Sequence, residues 1–143
     1  MHPSKRKGDK AELEVQGILR ELLGVPARRQ LGAGRLDDIG DISGVPDTTI
    51  SVANWADLNR AIREKLGPLE QQRERAGTTF AAMFARRIGG GYVVCMSVEQ
   101  WATLWREAQP AAPVDNGAPK DPNLAAFMKL RFPKTPEKAY KPW

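Results

Sequence analysis

The apolar positions fall into helical and strand periods in a definite order along the chain. Val15, Ile18, Leu19, Leu22 and Leu23 recur at helical spacing within 9–23, with Asp9 placed to cap the start and Gly24 and Pro26 to stop the end. A short strand over 26–31 follows, then a Gly- and Asp-rich loop over 32–38. Turn residues punctuate 40–47. The run after them alternates Thr49, Ser51 and Ala53 with Ile50 and Val52, which predicts a strand with one buried face. Leu58, Ile62, Leu66, Leu69 and Ala76 then form one stripe of a long helix, capped by Asp57 and closed by Gly77. Gly67-Pro68 inside that stripe predicts a kink or a break into two helices. Two β-rich runs, 79–85 and 92–97, flank Arg86, Arg87 and the turn Gly89-Gly90-Gly91, and read as a hairpin. A helix over 98–108 closes the series with Trp101, Leu104 and Trp105 on its inner face. The predicted order is α-β-β-β-α-β-β-α, an α/β fold in which helices flank a small mixed sheet.

The texture changes at Gln109. Seven of the chain's 11 prolines lie from there onward, so the expected division is a folded domain over 5–109 and a Pro-rich basic arm over 110–143. Pro122 follows Asp121, and Leu124, Phe127, Met128 and Arg131 would share a face, which predicts a short helix over 122–132. Phe127, Phe132, Tyr140 and Trp143 are candidate anchors for a protein partner, with a disordered extension as the alternative.

Composition then narrows the chemistry. The 143 residues, 41% hydrophobic and 27% charged, suit a single globular core. No run approaches the roughly 18 apolar residues of a membrane span. The basic start is not followed by the apolar run of a secretory signal, so a cytoplasmic location is expected, without membrane contact. A lone cysteine, Cys95, excludes an internal disulfide and a cysteine-built zinc site, and the lone histidine is His2. Carboxylates, hydroxyls, lysine or a hard cation are left. The net charge of +5 is uneven: residues 1–10 carry +3, residues 120–143 carry +4, and the stretch between them −2. Two basic ends around a slightly acidic body suit contact with a polyanion, and equally suit simple solubility.

The stretch Gly40-Asp41-Ile42-Ser43-Gly44-Val45-Pro46, followed by the strand through Ile50-Ser51-Val52-Ala53-Asn54, carries the candidate chemistry. An aspartate at a turn beside a strand is one way for a sheet to hold a divalent metal, and Glu12 on the first helix can add a carboxylate from above the sheet. The Gly-flanked Asp41 also fits a turn residue placed for backbone reasons alone. Arg28, Arg29 and Arg35 lie close by in sequence, Arg86 and Arg87 end a strand, and Lys5, Arg6 and Lys7 open the chain; all eight are candidate DNA-backbone contacts.

Taken in order, several pieces resemble the PD-(D/E)XK nuclease superfamily, in particular its phage-encoded Holliday junction resolvase-like members. They are Lys7-Gly8, Glu12, the Gly-Asp-Ile-x-Gly-Val-Pro turn around Asp41, the strand ending at Asn54, Arg73 to Gly77, Arg86-Arg87 and the Tyr-Val-Val-x-Met run from Tyr92 to Met96. The resemblance covers residues 5–107 and implies a restriction-endonuclease-like fold, DNA as partner, a homodimer, and Mg²⁺ or Mn²⁺ held by Asp41 and Glu12. It also implies a Glu-x-Lys pair where this chain has Ser51 and Ala53. A hydroxyl is a weak cation ligand and a methyl group is none. Three alternatives follow. The chain is a non-cleaving relative that still binds DNA, or an altered nuclease whose missing groups come from the next helix (Glu64, Lys65, Glu70 or Gln72), or a fold in which Asp41 is only a turn residue. A catalytically dead fold that binds protein partners through its C-terminal arm is the competing function.

Overall fold

The computed structural model describes residues 2–31, 39–110 and 123. Its elements are α1 (Pro3–Leu23), β1 (Arg28–Arg29), β2 (Ile42–Ser43), β3 (Thr48–Ala53), α2 (Leu58–Ala76), β4 (Phe80–Arg86), β5 (Tyr92–Cys95) and α3 (Val98–Ala108), the order expected from the periodicity. The loop 32–38 with Arg35, the helix expected over 122–132 and the aromatic residues of the arm lie outside the described residues.

The sheet runs β1-β2-β3-β4-β5. Strands β3 and β4 are parallel, from Thr48 opposite Phe80 to Ala53 opposite Ala85, and α2 is the crossover between them. All other neighbours are antiparallel, so the sheet is mixed.

Helix α1 starts six residues before Asp9. Pro3 occupies its first turn, where a missing N–H costs nothing, and this leaves Asp9 inside the helix, free to act as a ligand for another side chain. Gly24, in left-handed geometry, ends the helix by donating its N–H to the Arg20 carbonyl.

Strand β3 is buried on both faces, where its alternation had suggested one. Ile50 and Val52 face a cluster with Ala11, Val15 and Leu19 of α1, while Ala53 joins Ala61 and Leu69 of α2 with Ala81, Met83 and Ala85 of β4. The small polar residues Thr49 and Ser51 tolerate burial because they are hydrogen-bonded: Thr49 to Thr78 at 2.6 Å, Ser51 to Asp41 at 3.2 Å.

Helix α2 runs as one element through Pro68, so the expected break into two helices is absent. Gly67 and Pro68 lie on its exposed side, and the buried anchors Ala61 and Leu69 hold both halves against the sheet. Asp57 caps it by accepting the Arg60 N–H at 3.0 Å.

Helix α3 is rotated from the orientation its aromatic stripe suggested. Gln100 is its buried residue, while Trp101 and Trp105 are 56% and 43% exposed. The Gln100 side chain accepts the Ala81 N–H at 2.9 Å, and that bond to β4 sets which face turns inward. None of the described helices is long and apolar enough to cross a membrane.

Candidate functional site

Strand β2 stops after two residues, and its ladder to β3 is registered at Ile42 opposite Ile50. The Asp41 N–H still donates to the Ile50 carbonyl, at 2.7 Å. Beyond that point no strand among the described residues pairs with β3 on this edge. In an extended strand, alternate residues present both backbone groups to the same side, so Val52 turns its N–H and its C=O to the edge that β2 has vacated. Two side chains substitute for the missing strand. Asp41 Oδ2 accepts the Val52 N–H at 2.6 Å and the Ser51 hydroxyl at 3.2 Å. Lys65 Nζ, from α2, donates to the Val52 carbonyl at 2.9 Å.

Each partner is placed by its local sequence. Gly40 has φ of 111°, and a Cβ there would sit 2.8 Å from the Ile50 carbonyl oxygen, so only glycine lets the chain enter Asp41 this close to β3. Lys65 lies midway between the buried Ala61 and Leu69, four residues from each, on the stripe of α2 that faces the sheet.

Glu12 completes the cluster from α1. It pairs with Arg29, which also reaches Asp9, and the Arg29 backbone N–H donates to Gln16 Oε1 at 2.8 Å. Burial holds the Glu12 carboxyl above its ordinary range; the Asp41 and Asp9 charges push the same way, against the pull of Arg29. The Asp41 charge is thus felt at Glu12, and both side chains are engaged. One oxygen of Asp41 is spent on the strand edge, and Glu12 is neutralised by an arginine.

A hard cation takes six or more oxygen ligands, with carboxylates at their centre. Among the described residues no group of three or more His, Cys, Asp or Glu side chains is placed to hold one. Ser51 offers a hydroxyl already donated to Asp41, and Ala53 faces Ala61 and Leu69. The donor set among the described residues, which do not include Asp37 and Asp38, does not fit a preorganised Mg²⁺ or Mn²⁺ centre.

The other helix candidates are placed differently. Glu64 is exposed and pairs with Arg60 at 2.8 Å; Glu70 is held by Arg73 at 2.8 Å and accepts from Ser97 at 3.4 Å. Gln72 is half-buried two turns beyond Lys65. Lys65 reaches the β3 edge by its hydrogen bond to the Val52 carbonyl.

A second feature adjoins the first. At the carboxyl ends of the parallel pair β3 and β4, an open groove of about 420 Å³ is lined by Lys7, Asn54, Trp55, Ala56, Arg86, Arg87 and the turn Ile88 to Gly90. Open α/β sheets bind ligands at this end of parallel strands. Three segments converge on it. Asn54 ties the end of β3 to α1 by donating to the Lys7 carbonyl at 3.2 Å. The hairpin is held by the Arg87 N–H donating to the Gly91 carbonyl at 3.0 Å, with Gly89, Gly90 and Gly91 all at positive φ. Arg86 is braced by Glu14 at 2.8 Å, and the Tyr92 hydroxyl donates to the same Glu14 oxygen at 2.8 Å. Tyr92 is pushed up to about 12, by burial first and by Glu14 second, while its hydrogen bond to Glu14 holds that carboxyl below its usual range. The described lining contains three cations and no carboxylate.

The groove and the carboxylate cluster meet at Lys65, whose Nζ is 6.0 Å from the centre of the Trp55 ring while bonded to Val52. Of the eight cationic candidates, Lys7, Arg86 and Arg87 line the groove; Lys5 and Arg6 are exposed on the start of α1, and Arg28 is exposed on β1. Arg29 is committed to Asp9 and Glu12, and Arg35 lies outside the described residues. Asn54 entered the sequence reading only as the end of a strand, and neither it nor Trp55 was named as a site residue, although a polar-aromatic pair directly after a central strand marks this end of the sheet. No protein-family model, curated protein or solved structure matches the chain.

Proposed function

We propose that the protein binds DNA, branched or duplex, on a restriction-endonuclease-like fold whose phosphodiester-cleaving site has degenerated. The observation that carries the binding is the groove, where Lys7, Arg86 and Arg87 converge from separate segments with no carboxylate in the described lining. Cations grouped this way neutralise backbone phosphates, and released counterions drive association. The loss of cleavage is supported by the Asp41 oxygen bound to the Val52 N–H, by Glu12 held by Arg29, and by the burial of Ser51 and Ala53. A symmetric branched substrate calls for two copies related by a two-fold axis, so the proposal includes a homodimer.

Binding to junction and duplex DNA is expected to fall steeply as salt rises, and Arg87→Ala is expected to lower the slope of log affinity against log salt by about one. Fluorescence anisotropy over a salt series measures both. No detectable binding at low salt sinks the proposal and favours a protein-interaction role.

One observation favours a second reading, an altered but active nuclease. Lys65 brings an ammonium group to the residue between Ser51 and Ala53, the two positions where the resemblance calls for the acid and the lysine. The two readings separate on incubation of junction DNA with Mg²⁺ or Mn²⁺. The degenerate site predicts intact substrate, and the altered one predicts cleavage that Lys65→Met lowers by orders of magnitude.

A further inference from the structure

We infer that the groove accepts an unpaired nucleotide, whose base stacks on Trp55 while Lys7 and Arg87 hold the flanking phosphates. This rests on the DNA-binding reading and specifies which strand geometry the site selects.

Trp55 combines two properties. It packs on the α2-side cluster with Ala53, Ala61 and Leu69, which restrains the ring, and it also lines the groove. The guanidinium carbon of Arg60 and Lys65 Nζ lie over the ring, 5.8 Å and 6.0 Å from its centre, so a base that stacks on the indole does so beside these cations or displaces the exposed Arg60 side chain. A fixed aromatic surface in a cationic groove is the arrangement by which proteins bind single strands, because every base has a stacking face and every nucleotide a phosphate. Duplex DNA cannot use it. Its bases are stacked on each other and only the backbone is offered, which engages the arginines and leaves the indole idle.

Size and polarity agree. A volume of about 420 Å³ lies within the range of small-ligand sites and suits one nucleotide, whereas a duplex is much wider. Asn54, next to Trp55, donates one amide hydrogen to the Lys7 carbonyl, and among the described residues its oxygen accepts no hydrogen bond. That leaves an acceptor beside the ring for the edge of a stacked base.

The test compares oligothymidine, a gapped duplex and a blunt duplex against the full chain and two variants, Trp55→Leu and Trp55→Phe. Wild type is expected to bind the first two at least tenfold more tightly than the blunt duplex. Trp55→Leu is expected to lose about tenfold or more on the unpaired substrates alone, and Trp55→Phe to retain most of the affinity. A 2-aminopurine placed at the unpaired position should be quenched by wild type and not by Trp55→Leu. Equal affinity for all three DNAs, or an equal loss on all three in a Trp55→Leu protein of unchanged circular dichroism, overturns the inference. Salt-dependent duplex binding in that case leaves the DNA-binding proposal standing, and absence of all binding removes both.

Discussion

A protein carrying Lys7→Glu together with Arg87→Glu is expected to bind DNA about a hundredfold more weakly than wild type near physiological salt. Each phosphate contact releases roughly one counterion, worth about fivefold in affinity near 0.15 M salt, and reversal adds repulsion to the loss of two such contacts. Both side chains are exposed, so the fold should be unaffected. Arg86 is a poorer probe of binding, since Arg86→Ala also removes the ion pair that ties β4 to Glu14 of α1. The double variant is read by anisotropy at two salt concentrations. Its deficit should shrink at high salt, where the electrostatic contribution is screened. A deficit of less than threefold at low salt would move the DNA contacts away from the groove, to the basic ends of the chain.

The fold was largely legible because periodicity and turn chemistry report directly on local structure. Asp57, Gly24 and Gly77 marked helix ends, and the triple glycine marked a hairpin. What failed depended on neighbours that periodicity does not contain. Thr49 and Ser51 looked solvent-facing because they are polar, yet partners 29 and 10 positions away, Thr78 and Asp41, satisfy them inside the sheet. Trp101 and Trp105 looked like core, yet one glutamine bonded to β4 turns α3 so that they face outward. Gly67-Pro68 did not divide α2 into two helices, because Ala61 and Leu69 pack on either side of the lost helical hydrogen bond.

The candidate site divides along the same line. Asp41 and Glu12 were read together from the sequence, and the structure shows each engaged by another group, Asp41 by Val52 and Glu12 by Arg29. Lys65 was one of four helix candidates, and the choice among them required knowing which α2 stripe faces β3; a lysine between two buried apolar residues, four positions from each, was the available signal. Arg29 read as a phosphate contact because its two carboxylate partners come from another element. The same geometry bears on reconstruction. Ser51→Glu with Ala53→Lys is the obvious way to restore the family pair, but Ala53 is buried against Ala61, and a lysine there overpacks the α2 interface. Lys65 already brings an ammonium group to the adjacent backbone, so Ser51→Glu alone is the more conservative route.

Asp41→Ala is expected to lower folding stability by about 2 kcal/mol, because it orphans the N–H of Val52, a residue only 6% exposed. The sign is what matters. Were Asp41 poised chiefly as one of two neighbouring acids awaiting a cation, its removal would relieve repulsion with Glu12 and stabilise the fold. The opposite sign follows if its main task is to stand in for the strand that β2 does not provide. Asp41→Asn refines the distinction. An asparagine oxygen can still accept from Val52, so most of the stability should return, while loss of the charge lets the Glu12 carboxyl titrate lower than in wild type. Urea midpoints at an unchanged m-value give the stabilities, and carboxyl titration by NMR gives the Glu12 shift. A stabilised Asp41→Ala protein would overturn the structural role and return Asp41 to the chemistry its position in the turn first suggested.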